Sequence, residues 1–141
     1  PYSHACVMRR VHELGFPIMQ FGVRDLCIEE AEYRRQSGIH FIDGEQLRHG
    51  CPKETLLPGW FPRILYITFD VDGLDCSLMP ATGTPQPGGL GWYDTLDLLR
   101  LVSEDRQVVG MDIVELAPNP HLHGATFVAA KLTYRMMGLV R

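Results

Sequence analysis

Three carboxylates stand where chemistry is possible. Asp70 and Asp72 lie one residue apart at the end of the apolar run Ile64-Leu65-Tyr66-Ile67-Thr68-Phe69, and Glu115 stands at the end of a second run, Gln107 to Leu116. Residues i and i+2 of a strand share a face, so Asp70 and Asp72 are expected to aim at one point just past the strand. Two carboxylates facing each other raise one another's pKa unless a cation lies between them. Hard oxygen donors of this kind suit manganese, magnesium or calcium better than soft metals. The following stretch, Pro80-Ala81-Thr82-Gly83-Thr84-Pro85 and then Gly88-Gly89, has the turn chemistry of a loop bending over that point.

Such side chains need a scaffold, and the chain alternates strand and helix patterns. Ser3 is a good N-cap for a helix over Ala5 to Leu14, with Val7, Met8, Val11 and Leu14 at helical spacing and Gly15 as its stop. Pro17 to Arg24 reads as a short buried strand, Glu29 to Gln36 as a charged surface helix and Ile39 to Ile42 as another short strand. A loop or helical turn is expected around Glu45 to Arg48, and an irregular connection over the proline-rich Cys51 to Pro62. The acid-bearing strand follows near Arg63 to Phe69. Beyond the loop, Trp92 to Val102 has helical spacing with Leu96, Leu99 and Val102 inward, and Ala125 to Leu139 predicts a final helix packing Phe127, Val128, Leu132 and Met136. This alternation predicts an α/β fold, a parallel sheet with helices on both faces. Sites in such sheets gather at the carboxyl ends of strands, and Asp70, Asp72 and Glu115 all fall there.

At 141 residues the chain is one domain or part of one, and 45% hydrophobic with 21% charged residues is ordinary for a globular protein. A formal net charge of -4 leaves no basic footprint for nucleic acid. No apolar run approaches a membrane span, and the start carries no signal-peptide pattern. Cys6, Cys27, Cys51 and Cys76 form no CxxC pair, which points to reduced thiols and the cytoplasm. His121 and His123 lie in a Pro/Asn/Gly loop and read as solvated, while His12, His40 and His49 have no partner at useful spacing. Trp60 and Trp92 read as packing or subunit-contact residues. The chain opens on Pro1 without a Met, which predicts that it begins part-way through a longer protein.

Taken together, Phe69-Asp70-Val71-Asp72-Gly73-Leu74-Asp75, Pro80-Ala81-Thr82-Gly83-Thr84-Pro85, Gly88-Gly89-Leu90 and Val109-Gly110-Met111-Asp112-Ile113-Val114-Glu115-Leu116-Ala117-Pro118 resemble the signature regions of the ureohydrolases, the arginase and agmatinase family. The opening Tyr2-Ser3-His4-Ala5 with Met8-Arg9-Arg10 is similar to the segment that follows the first metal motif in agmatinase-type members. The resemblance implies a three-layer α/β sandwich with a mainly parallel sheet. It also implies a binuclear manganese site that hydrolyses a guanidinium group to urea and an amine. Asp70 and Asp72 match metal ligands of that family, and His4 matches a histidine that contacts substrate and shuttles protons. Glu115 matches the carboxylate that grips the guanidinium, Thr84 a threonine lining the pocket, and Asp75 an acid that braces the loop. The implied small-molecule substrate is agmatine, giving putrescine for polyamine biosynthesis, with guanidinobutyrate and arginine as alternatives. A homo-trimer or homo-hexamer is implied as well.

The departures carry information too. A Gly-Gly-Asp-His stretch and an Asp-Ala-His-x-Asp strand end, which supply the other metal ligands in the family, do not occur here. The expectation is therefore that residues 1–141 form the C-terminal part of one ureohydrolase domain and that this part alone binds manganese poorly and is inactive. Cys76 stands where proline is usual, which is expected to loosen the turn. Two other readings of the sequence stand beside this one. Phe69-Asp70-Val71-Asp72-Gly73 also looks like the phosphatase motif of haloacid dehalogenases, but Leu74 follows where that motif has threonine. The other reading is a non-catalytic, truncated relative serving as subunit or scaffold.

Overall fold

The computed structural model describes residues 3–50 and 56–140. A 3-10 turn over His4–Cys6 opens them, with the Ser3 hydroxyl accepting from the Ala5 N–H at 3.3 Å, and leads into α1 (Val7–Glu13). Then come β1 (Met19–Phe21), α2 (Ile28–Gln36), β2 (His40–Ile42), α3 (Gly44–Arg48), β3 (Ile64–Asp70), α4 (Trp92–Ser103), β4 (Gln107–Val114) and α5 (His123–Met137). Every predicted element falling on described residues is present. Of the connection expected over Cys51 to Pro62, residues 51–55 lie outside the described residues.

Both strand pairings are parallel, β1 with β2 and β3 with β4. Among the described residues no backbone ladder joins the two pairs. Side chains join them instead: Met19 of β1 packs both on the cluster of Ile42, Leu56 and Val102 and on that of Phe61, Leu65 and Val108. The β3–β4 register runs from Ile64 opposite Gln107 to Asp70 opposite Val114, with one irregularity between Leu65 and Tyr66 that leaves Val109 without a partner.

The main core lies beneath one face of that pair. Ile67, Phe69, Met111 and Ile113 point inward onto Leu99 of α4 and onto Ala125, Ala129, Leu132 and Met136 of α5. Val71, Leu74, Met79 and Ala81, from the segment after β3, complete the same cluster. Leu74, Met79, Leu132 and Met136 are almost fully buried, each contributing about 1.5–3 kcal/mol. The opposite face carries Ile64 and Tyr66, both more than 60% exposed.

Two helix faces differ from expectation. In α5 the small Ala125 and Ala129 lie in the core with Leu132 and Met136, spaced by three and four residues as a helix requires, whereas Phe127 is 69% exposed. Phe127 is two positions from Ala125 and Ala129 and so turns away from them. In α1 the spacing is helical but Val7 and Leu14 are exposed. That helix rests on α2 through polar groups, with His12 Nδ1 2.9 Å from the Tyr33 hydroxyl and the Arg9 guanidinium over the Tyr33 ring. His12 thus has a partner, and His40 has one too, its ring tilted against that of an exposed Trp60 with centroids 4.8 Å apart. Trp92 packs partly buried against the main core. Cys6, Cys27 and Cys76 are free thiols.

Candidate functional site

The apolar run of β3 ends at Asp70, and the chain then tightens into a single 3-10 turn, Val71–Gly73, pinned by the buried Val71. Asp70 Oδ1 accepts the Asp72 N–H at 3.0 Å and so caps the turn. Strand alternation therefore does not place Asp72, as the i, i+2 reading supposed. The capped turn does, and it still brings the two carboxyls together. The Asp70 carboxyl is raised from 3.8 to about 6, with burial the largest influence. The Asp72 N–H opposes this, while the neighbouring Asp72 carboxyl and the charge of Glu115 add to it.

Asp72 is held at three polar atoms. Its N–H goes to Asp70, its carboxylate Oδ2 accepts from the Thr84 hydroxyl at 2.7 Å, and its carbonyl accepts from Arg24 Nη2.

Three residues further on, Asp75 is in the opposite condition. It accepts from the Ser77 hydroxyl, from the Ser77 N–H at 2.9 Å and from the Gly88 N–H at 2.8 Å. These donors pull its carboxyl down to about 2, the Ser77 hydroxyl foremost. The loop is stitched there along its length: Asp75 N–H to Leu90 carbonyl at 3.0 Å, Leu90 N–H to Gly73 carbonyl at 2.9 Å, and Cys76 N–H to Gln86 carbonyl at 3.2 Å. A proline at position 76 has no N–H to give, so Cys76 ties the turn rather than loosening it. Gly89 is required by the same stitching, since a Cβ on it would lie 2.4 Å from the carbonyl carbon of Leu74.

Glu115 follows β4 directly and has φ 65, the left-handed region that a residue with a Cβ seldom occupies. Its carbonyl accepts from the buried Thr82 hydroxyl at 2.9 Å, and the Ala117 N–H donates to the Ala81 carbonyl at 2.9 Å. The loop bearing Thr84 is thereby fastened to the end of β4 as well as to the turn after β3. Glu115 itself is exposed, and its charge reaches Asp70. His4 lies in the opening 3-10 turn, exposed, and among the described residues no hydrogen bond or ion pair joins it to Asp70, Asp72 or Glu115. The structure thus gathers Asp70, Asp72, Thr84 and Glu115 at one end of the β3–β4 pair, with Asp75 bracing the loop beside them.

The donor chemistry of Asp70 and Asp72 fits a hard divalent cation, whose charge would relieve the mutual repulsion. Among the described residues no cluster of three or more His, Cys, Asp or Glu is arranged for a metal. Three contributors escaped the sequence reading. Arg24 makes its contact with the site across 48 residues, which nothing in the local sequence signals. Thr82 reads as turn chemistry although its side chain is buried. Asp112 on β4 accepts from the Tyr66 hydroxyl at 3.0 Å and the Thr68 hydroxyl at 2.6 Å. Polar Tyr66, Thr68 and Asp70 at alternate positions of an otherwise apolar strand were the signal for that network.

The sequence profile of the arginase family matches residues 1–138. The N(1)-aminopropylagmatine ureohydrolase of Thermus thermophilus is 41% identical across 98% of this chain and 47% of its own length. The agmatinase of Pyrococcus horikoshii is 35% identical across 98% of this chain and 48% of its own. Among solved structures, the agmatine ureohydrolase of Thermoplasma volcanium superposes with a TM-score of 0.82 at 32% identity, covering 98% of this chain and 47% of that one. The chain spans just under half the length of these relatives. Parallel strands, the flanking helices and these matches agree on an α/β fold of the arginase type, and no phosphatase reading of the Asp70–Asp72 pair survives them. The chain belongs to the arginase family.

Proposed function

We propose that residues 1–141 are the C-terminal part of one ureohydrolase domain, and that the complete domain hydrolyses the guanidinium group of agmatine to putrescine and urea with manganese. What supports this most is the convergence of Asp70, Asp72, Thr84 and Glu115 on one strand end in a chain of this family. In this reading Asp70 and Asp72 hold manganese together with ligands from outside this chain. The chemistry that manganese supplies when bound is activation of water for attack on a carbon that is a poor electrophile. Glu115 pairs with the guanidinium through parallel hydrogen bonds and orients it. Thr84 acts through Asp72, whose Oδ2 it holds. His4 donates a proton to the departing amine, a task suited to imidazole near neutral pH.

A second substrate has a specific observation behind it. The Thermus thermophilus relative, at 41% identity, is named for N(1)-aminopropylagmatine, and the agmatinase of Pyrococcus horikoshii is less similar, at 35%. Both substrates present the same guanidinium end and differ in the amine tail. Among the described residues no helix is long and apolar enough to cross a membrane. Action in the cytoplasm, as part of polyamine biosynthesis and within a homo-trimer or homo-hexamer, belongs to the same proposal.

The test is urea release by the full-length protein with added manganese, on agmatine, N(1)-aminopropylagmatine, guanidinobutyrate and arginine in parallel, with Asp72→Ala as control. Urea from one of the first two, lost in the control, is the expected result. A folded, manganese-loaded protein that releases urea from none of them would overturn the reading.

A further inference from the structure

Arg24 leaves the end of β1, in the strand pair that bears none of the proposed ligands, and reaches across to the turn after β3. Its Nη2 donates to the Asp72 carbonyl and its Nη1 to the Gly22 carbonyl at 3.0 Å, so one planar guanidinium spans two backbone segments. The aliphatic stem lies against Gly44, where a Cβ would come within 3.0 Å of Arg24 Cγ. The next residue repeats the reach: the Gln86 side-chain amide donates to Asp25 Oδ2, which ties the far end of the site loop to the same exit from β1. Arg24 Nε is buried without a hydrogen-bond partner. A buried unpaired donor is a local cost, and departures from local optimality concentrate where a site must be positioned.

We propose that Arg24 is a positioning residue for the Asp70–Asp72 pair, fixing the Val71–Gly73 turn through the Asp72 carbonyl so that the carboxylate presents a constant geometry to the metal. The role rests on the reading of that pair as manganese ligands. Lysine carries its donors on one nitrogen and lacks the planar fork by which Arg24 reaches both carbonyls, so it is not an equivalent.

The experiment uses the full-length protein in wild-type, Arg24→Lys, Arg24→Met and Asp72→Ala forms. Manganese affinity is measured by calorimetry, kcat and KM at saturating manganese, and melting of the metal-free forms. Arg24→Met is expected to weaken manganese binding about 10–100-fold, the range for outer partners of metal ligands. Arg24→Lys is expected to fall between it and wild type. With metal saturating, kcat should fall while KM for the guanidino substrate stays within about twofold, because uniform substrate binding is untouched. Wild-type manganese affinity in both Arg24 variants, with Asp72→Ala impaired, would overturn the proposal and leave the metal assignment standing. Equal manganese binding by wild type and Asp72→Ala would remove the assignment itself and the proposal with it. Metal-free forms of both Arg24 variants that fail to fold would make Arg24 a folding residue and overturn the positioning role.

Discussion

Asp70 and Asp75 occupy one short segment over one core, yet their environments drive them in opposite directions. Asp70 is raised to about 6 and Asp75 lowered to about 2. Asp75 is surrounded by N–H and O–H donors and is complete as it stands. Asp70 faces other carboxylates, with a single backbone N–H in compensation. A carboxylate already supplied with donors holds a loop together, whereas the charge of one pressed against its own kind would be eased by a cation, the role proposed for Asp70. Leu74, 1% exposed between them, roots both in the same cluster.

The largest way to sharpen this contrast is Asp72→Ala in the full-length protein. If Asp72 is a direct ligand, as proposed, its loss should cost more than the roughly 100-fold typical of outer partners, in manganese affinity and in urea release alike. Leu74→Ala attacks the shared footing instead and should destabilise the fold by about 2–5 kcal/mol in denaturant titration, with both carboxyl environments disturbed together. The third test is pH. Protons compete with metal for Asp70, so manganese affinity should fall roughly tenfold per pH unit once the pH drops below about 6. The sign for folding is the reverse. A raised carboxyl contributes stability fully present below its ordinary value of 3.8 and lost as pH rises through about 6, so Asp70→Asn should stabilise the metal-free protein at neutral pH while abolishing metal uptake.

The smallest effect is expected at Asp75. Its depressed carboxyl contributes stability present above 3.8 and lost as pH falls toward about 2. Asp75→Asn should therefore lower the melting temperature at neutral pH, narrow the gap to wild type in strong acid and leave manganese affinity near that of wild type. A matched loss of metal in Asp75→Asn and Asp70→Asn would erase the distinction between brace and ligand.

Much of this arrangement was legible in the sequence. The two acid-bearing strands, the turn-rich loop and the helix at Trp92–Ser103 follow from local patterning, and Asp70, Asp72 and Glu115 are placed together because strand ends are local features, while Thr84 is singled out by the family resemblance alone. What was not legible depends on distance or on how faces are covered. Arg24 meets Asp72 across 48 residues, and nothing near it in the chain announces that contact. Helical spacing expects Phe127 inside, while the core holds Ala125 and Ala129, where small side chains let α5 approach the sheet. Val7 and Leu14 have the right spacing for burial, but no described element covers them. The join between strand pairs is made by side chains such as Met19, which period alone cannot foresee.

The most direct test of the central claim is the manganese content of the purified full-length protein, measured for wild type, the double variant Asp70→Asn with Asp72→Asn, and Asp75→Asn at neutral pH. The account predicts a full complement in wild type and Asp75→Asn and its loss in the double variant. Equal manganese in all three would contradict it.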